Sequence, residues 1–356
     1  MRVVPGIAVA PPSLAGIARR VEARIARLLD RELERWSAVD PDLTEPLAAL
    51  RDLVLAGGKR LRPAFCHWAF VGAGGCPDDP AVVDAGAGLE LLHTFALVHD
   101  DIMDGSATRR GTDTIHVQFE AEHAMDGWRG EARRFGEGVA ILVGDLAFVY
   151  ADHLMAGAPP AAQEVFTELR IEVNVGQYLD LVGTARRRVN ESQARCISRF
   201  KSGKYTVERP LHLGAALAGR LDDLAAPLSR YGLPLGEAFQ LRDDLLGVFG
   251  DDAVTGKPVG EDLREGKPTL LYAMAMDRAT ASDAAALTRY GAPDLDDDDI
   301  AAIQDVLLSS GAVEAMEDAI DRLVAEAIEA LDAAGLEPES HQALVELAYY
   351  VAGRDR

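Results

Sequence analysis

A chain of 356 residues, 48% of them hydrophobic and with a mean hydropathy near zero, has ample material for a large buried core. Its formal net charge of -22 and isoelectric point of about 4.7 argue against nucleic acid and anionic membrane surfaces as partners. Cys66, Cys76 and Cys196 show no CxxC spacing and read as reduced thiols of a cytoplasmic protein; Met1 to Leu14 does not read as a signal peptide, and no stretch approaches the ~18 uninterrupted apolar residues of a membrane span.

Almost everything between the turns reads as helix. Residues 14 to 36 carry apolar side chains at helical spacing, whereas aromatics are only 6% of the chain and runs alternating with period two are missing. Turn punctuation falls at Gly57-Gly58 and around residues 72–80, 127–138, 157–160 and 250–266. The long Ala/Leu/Val-rich segments between are apolar on most faces, as in helices buried in a large all-α bundle. No linker divides them, so residues 1–356 are expected to form one domain.

The polar motifs stand out against this apolar background. Gly57-Gly58-Lys59-Arg60-Leu61-Arg62-Pro63 combines a tight turn, three cations and a helix-starting proline, which together make an anion site; the Walker A spacing is missing. Glu90 and His93 lie on the next long helix, and His93 is two turns before Asp100 on nearly the same face. Phe95, with the small Ala96 beside it, sits five residues before Asp100, so ~7.5 Å deeper along the helix. Asp100-Asp101-Ile102-Met103-Asp104 follows, then Arg109-Arg110-Gly111. Asp100 and Asp104 share a face, where paired carboxylates repel unless a cation joins them; hard oxygen ligands suit magnesium, and arginine forks suit phosphate. Polar groups recur at Gly144-Asp145, at Gly176-Gln177 with Asp180, and at Lys201-Ser202-Gly203-Lys204. A second acidic helix end, Phe239-Gln240-Leu241-Arg242-Asp243-Asp244-Leu245-Leu246-Gly247, precedes Gly256-Lys257 and Gly266-Lys267. One acidic pair is weak evidence; two, each with its own cationic flank, form a joint signal for several magnesium ions around one diphosphate.

From about Gly57 to Lys267 these motifs, in this order, resemble the trans-isoprenyl diphosphate synthase (polyprenyl synthetase) family. The resemblance implies a single-domain helical bundle around a deep central cavity, a homodimer, and three magnesium ions per active site. Lys59, Arg62, His93 and Arg110 match the positions that hold the diphosphate of isopentenyl diphosphate. Arg109, Lys201, Gln240, Lys257 and Lys267 match those that hold the allylic diphosphate, with Ser202 beside them and Lys204 a lesser candidate. Asp100, Asp104 and Asp243 match the main magnesium ligands, supported by Asp101 and Asp244. Two positions depart from the pattern: Gly247 stands where the second motif usually ends in aspartate, and Asp113 stands where proline is frequent.

The implied reaction is a head-to-tail condensation. Cations stabilise the departing allylic diphosphate, a dry apolar cavity protects the carbocation, and the double bond of isopentenyl diphosphate attacks it. Asp100, Asp104, Arg109, Lys201 and Asp243 would carry the ionisation. Phe95 and Ala96 resemble the chain-length determinants of short-chain synthases of the geranylgeranyl type, with a farnesyl product as the alternative. A class I terpene cyclase would not need the Lys59, Arg62, His93 and Arg110 site, and a non-catalytic partner subunit should have lost more of its acidic ligands.

Overall fold

Helix formation follows the apolar spacing. The computed structural model describes residues 10–109, 111–186, 191–250, 260–267, 269–280 and 283–353. Apart from one two-residue hairpin, regular structure among these residues is helical, so the all-α class expected from the sequence is what the chain forms. Two compact units can be distinguished, and each is built around its own acidic helix.

The first unit comprises residues 12–166 and 210–222. Helix α1 (Pro12–Ser37) buries Leu14, Ile17, Val21, Ile25 and Leu28, one stripe at spacings of three and four. It packs on α2 (Thr44–Leu55), α3 (Leu61–Gly72) and the central α4 (Pro80–Asp104). Helix α4 starts cleanly because the Asp79 carboxylate accepts the Ala81 N–H and Pro80 occupies the first turn; it stops at Gly105, whose φ of 69° suits glycine. Its acidic motif is therefore the last turn of a helix that is otherwise largely buried. Alongside lie α5 (Ile115–Met125) and α6 (Ala132–Met155).

By length and composition alone α4 and α6 would each pass for a membrane span, although Asp84 and Glu90 interrupt the apolar run of α4 and Glu137 and Asp145 that of α6. Helix α4 is a core element, with 61% of its most apolar window buried; α6 buries 44% and leaves Ile141, Leu142 and Val149 exposed.

The hairpin, β1 (Thr108–Arg109) with β2 (Thr112–Asp113), was not foreseen. Two-residue strands are too short for any period to show. Asp113, the second departure from the family pattern, is exposed on β2, and its carbonyl accepts the Gln118 side chain at 2.5 Å.

The second unit comprises the described residues of 167–209 and 223–353. It takes most of α7 (Pro160–Arg186), then α8 (Glu191–Ser198), a ten-residue π-helix (Arg199–Glu208) that runs into α9 (Arg209–Leu217), which belongs to the first unit from Pro210 on, and most of α10 (Leu221–Phe249), which carries the second acidic motif. After α10 come α11 (Glu261–Glu265), α12 (Leu270–Arg278), α13 (Ala284–Leu287), α14 (Asp297–Ser309), α15 (Ala312–Asp332) and α16 (Pro338–Gly353). Buried Arg242 fastens α10 to this C-terminal layer. Its two terminal nitrogens donate to Glu317 of α15 at 2.7 and 2.6 Å, and Nε donates to the Ala352 carbonyl of α16 at 2.9 Å. Tyr231, fully buried on the same helix, donates to the Leu344 carbonyl at 2.7 Å.

Candidate active site

In the first unit, the end of α4 sorts its carboxylates by helical phase. Asp100 and Asp104 share a half-buried face, while Asp101 points the other way and is buried. Arg109, delivered by β1, grips Asp101: Nε lies 2.9 Å from both carboxylate oxygens and Nη2 lies 2.5 Å from Oδ1. The same Nη2 is 4.0 Å from Asp100 Oδ2. Arg109 is thus fixed beside the first acidic motif by Asp101. Arg110 lies outside the described residues.

The glycine-rich turn is held from beneath. Gly57 and Gly58 have φ of 96° and 145°, and Arg60 itself adopts the left-handed region at φ 47°, unusual for a residue with a side chain. That strain is offset by a buried network: Arg60 donates to Glu90 at 2.6 Å, to Glu22 at 3.0 Å and to the Val54 carbonyl at 2.7 Å. The turn's three cations therefore divide in function. Arg60 is an anchor, whereas Lys59 is exposed and Arg62 is half-buried on the first turn of α3. His93 is half-buried on α4. Glu90, unassigned in the sequence, is the buried partner that makes the turn possible; a lone glutamate in an apolar helix, with a cation to find, was the available signal.

Deeper on α4, Phe95 is half-buried rather than sealed in the core, as is Ala96. The Phe95 ring meets Phe148 of α6 edge-on at 4.9 Å between centroids and His99 at 4.6 Å. His99 reaches the Ile141 carbonyl at 3.2 Å, and Gly144 leaves room for its ring, since a Cβ there would overlap the imidazole.

In the second unit, the π-helix carries Lys201 and Ser202, both half-buried. Lys201 Nζ pairs with Asp180 of α7 at 2.6 Å. The backbone of Lys201 presses so closely on Gly176 of α7 that a Cβ at 176 would collide with it, which accounts for the glycine of the Gly176-Gln177 motif. Lys204 is placed differently: its Nζ lies between Glu172 at 2.5 Å and Glu208 at 3.3 Å, and Arg209 also pairs with Glu172. Two carboxylates already neutralise Lys204, leaving Lys201 the better placed of the two for an anionic substrate.

On α10, Asp243 is half-buried and Asp244 buried, one turn from Gln240, whose amide donates to Asp244 Oδ1 at 2.7 Å. Burial pushes the Asp244 carboxyl up to about 8; neighbouring Asp262 and Asp243 push the same way, while the Gln240 and Leu270 hydrogen bonds oppose them. Lys267 pairs with Asp262 at 3.0 Å and with Glu265 at 2.6 Å. Lys257 lies outside the described residues.

This donor set fits magnesium. Among the described residues no three His, Cys, Asp or Glu side chains converge enough to cage a metal by themselves. Magnesium does not require such a cage: one or two carboxylates, waters and substrate phosphates complete its octahedron.

A sequence profile described as polyprenyl synthetase matches residues 44–307, about three quarters of the chain. The chain belongs to the polyprenyl synthetase family. The synthetase is 32% identical to the geranylfarnesyl diphosphate synthase of Aeropyrum pernix over 81% of this chain and 86% of that one. It is 31% identical to the nonaprenyl diphosphate synthase of Mycobacterium tuberculosis over 99% and 98% of the two chains. Among solved structures, geranylgeranyl pyrophosphate synthase from Corynebacterium glutamicum, complexed with isoprenyl diphosphate and magnesium, superposes with a TM-score of 0.91 at 37% identity, covering 95% of this chain and 99% of that one. The synthetase is accordingly a prenyltransferase with the isoprenyl synthase helical fold, as the motifs implied.

Proposed function

We propose that the synthetase condenses isopentenyl diphosphate head-to-tail with allylic diphosphates and releases geranylgeranyl diphosphate. The observation that supports this reading is that each unit carries its own acidic motif on a helix, Asp100–Asp104 in the first and Asp243–Asp244 in the second, with Phe95 edge-on to Phe148 five residues before Asp100. Lys59, Arg62, His93 and Arg110 bind the isopentenyl diphosphate. Arg109, Lys201, Gln240, Lys257 and Lys267 bind the allylic diphosphate, with Ser202 beside Lys201. Asp100, Asp104 and Asp243 hold magnesium, three ions per site, and Asp101 and Asp244 support them. When bound, magnesium neutralises the charge that builds on the leaving diphosphate. Asp101 holds Arg109 and Asp180 holds Lys201, so two cations are oriented before substrate arrives and need little reorganisation during ionisation. Apolar side chains around Phe95 exclude water from the allylic cation. Phe95, with the space left by Ala96, stops elongation. The exposed apolar residues Ile141, Leu142 and Val149 of α6 support a homodimer of this cytoplasmic enzyme.

The test is product analysis. Protein with magnesium and isopentenyl diphosphate is incubated with dimethylallyl, geranyl or farnesyl diphosphate, and the products are dephosphorylated and sized. A linear twenty-carbon alcohol is expected. A fifteen-carbon limit, or chains far beyond twenty carbons, would refute the product assignment. Cyclic hydrocarbon from an allylic diphosphate alone would mean a cyclase, and no turnover a partner subunit.

A further inference from the structure

Lys267 is held by a segment that none of the sequence motifs includes. It lies in the turn that closes α11, where Gly266 has a φ of 69° and the N–H groups of Gly266 and Lys267 both donate to the Asp262 carbonyl. A second turn, residues 287–291 after α13, is seated on the first. The Gly291 N–H donates to the Leu263 carbonyl at 2.9 Å. Gly266 and Gly291 meet backbone to backbone: a Cβ on 266 would lie 2.9 Å from the Gly291 Cα, and one on 291 would lie 2.8 Å from the Gly266 Cα, so neither position has room for a side chain. This close approach delivers Tyr290, half-buried with its hydroxyl end turned inward, and that hydroxyl donates to the Lys267 carbonyl at 2.5 Å. The Tyr290 ring stacks on Tyr272 of α12, with centroids 3.9 Å apart and planes inclined by 22°, and the Tyr272 hydroxyl donates to the Leu287 carbonyl at 3.3 Å. Burial, reinforced by Asp262 and Asp244 and opposed by the Thr269 side chain, pushes the Tyr290 hydroxyl well above its ordinary range, so it remains a donor through neutral pH. The Lys267 carbonyl also accepts the Thr269 N–H at 2.8 Å. The tyrosine is therefore not needed to satisfy that carbonyl; it adds a second direction of restraint on the residue that carries the cation.

We propose that Tyr290 is a positioning residue for the allylic-diphosphate site: its hydroxyl fixes the backbone of Lys267, and with it the base from which the ammonium reaches, before substrate binds. The stack on Tyr272 fixes Tyr290 in turn. A lysine ammonium is a point charge on a flexible four-carbon stem, so where it dwells depends on how firmly its backbone is held. This inference rests on the reading above in which Lys267 binds the allylic diphosphate.

The test is a double-mutant cycle on the full-length protein, with magnesium, isopentenyl diphosphate and farnesyl diphosphate. Tyr290→Phe keeps the ring and its stack, so the thermal midpoint should stay close to wild type. Loss of one hydrogen bond should raise KM for farnesyl diphosphate about three- to tenfold and leave KM for isopentenyl diphosphate unchanged. In a Lys267→Ala background Tyr290→Phe should add nothing, because the group it positions is gone. Binding is also read without turnover, as the shift in thermal midpoint given by magnesium with inorganic pyrophosphate. That shift should be smaller in Tyr290→Phe than in wild type, and equal in Lys267→Ala and the double variant. A wild-type KM for farnesyl diphosphate in Tyr290→Phe would overturn the proposal, as would equal rises in both KM values, or a Tyr290→Phe effect of full size in the Lys267→Ala background. Failure of the underlying functional reading would look different, with wild-type protein giving no prenyl product.

Discussion

Replacing Glu90 with Gln tests whether the diphosphate-binding turn depends on the network beneath it. Arg60 and Glu90 side chains are 3% and 4% exposed and meet at 2.6 Å, whereas the second carboxylate on Arg60, Glu22, is 34% exposed. Removing one partner of a buried pair costs about 3–5 kcal/mol, because the other charge stays buried without compensation. The glutamine oxygen can still accept one hydrogen bond and Glu22 retains partial contact, which places the expected loss at the lower end, about 3 kcal/mol. The assay is urea denaturation followed by tryptophan fluorescence, for which Trp68 on the adjoining α3 is a local reporter. Exposed Arg133, paired with Glu137 on the same helix, gives the control: Arg133→Ala should leave the denaturation midpoint close to wild type. Glu90→Gln should also raise KM for isopentenyl diphosphate more than it lowers kcat, since the slackened turn carries Lys59 and Arg62. A stability loss no larger than the control's, with unchanged KM, would refute the reasoning.

Other expectations concern the cavity, the lysines and pH. Phe95→Ala should lengthen the product by at least one isoprene unit, and Phe148→Ala should act in the same direction because the two rings are in contact; unchanged chain lengths in both would remove the aromatic pair from the floor. Lys201→Ala should cut turnover on allylic substrates while sparing the thermal midpoint. Lys204→Ala should instead lower the midpoint, since it removes the cation between Glu172 and Glu208 and leaves Arg209 and the Ser229 hydroxyl to compensate two buried carboxylates, and comparing the two variants separates the roles. Burial lowers the His67 imidazole to about 4, with Arg20 reinforcing the effect and Asp78 opposing it. Between pH 6.5 and 4 the unfolded chain therefore takes up a proton that the fold refuses, and stability falls as pH falls, by up to about 3 kcal/mol from this group. A His67→Gln variant should show a shallower acid limb in denaturation midpoints; an identical limb would mean that the imidazole protonates in the fold.

What could be read in the sequence was whatever local spacing dictates. The helical phase that puts Asp100 and Asp104 together and turns Asp101 away follows from the i, i+4 rule, and so does the standing of Gln240 over Asp244. The glycine turn and its cations were visible as residue types, and the family resemblance singled out Lys59 and Arg62, yet nothing in the local order gave Arg60 its role. That role depends on Glu90, thirty positions away, which makes it a tertiary fact. Lys204 stood as a lesser candidate beside Lys201, and its enclosure by Glu172 and Glu208 is likewise a tertiary fact. The absent aspartate at 247 was plain, but the Asp262 carboxylate of α11 lies where a side chain at 247 would go, and no spacing rule links the two. The hairpin bearing Arg109 is below the length at which alternation carries information.

The π-helix at Arg199–Glu208 has a consequence for how this segment can change. Its wider turn, closed by i→i+5 bonds, makes its phase sensitive to residue count. Deleting a single residue here would favour relaxation to ordinary α-helical winding, which would rotate Lys201 off Asp180 while leaving the flanking helices intact. Substitutions that keep the count would preserve that phase. Insertions and deletions in this stretch should therefore be far more damaging than point changes, and sequences that vary freely in composition here should be invariant in length.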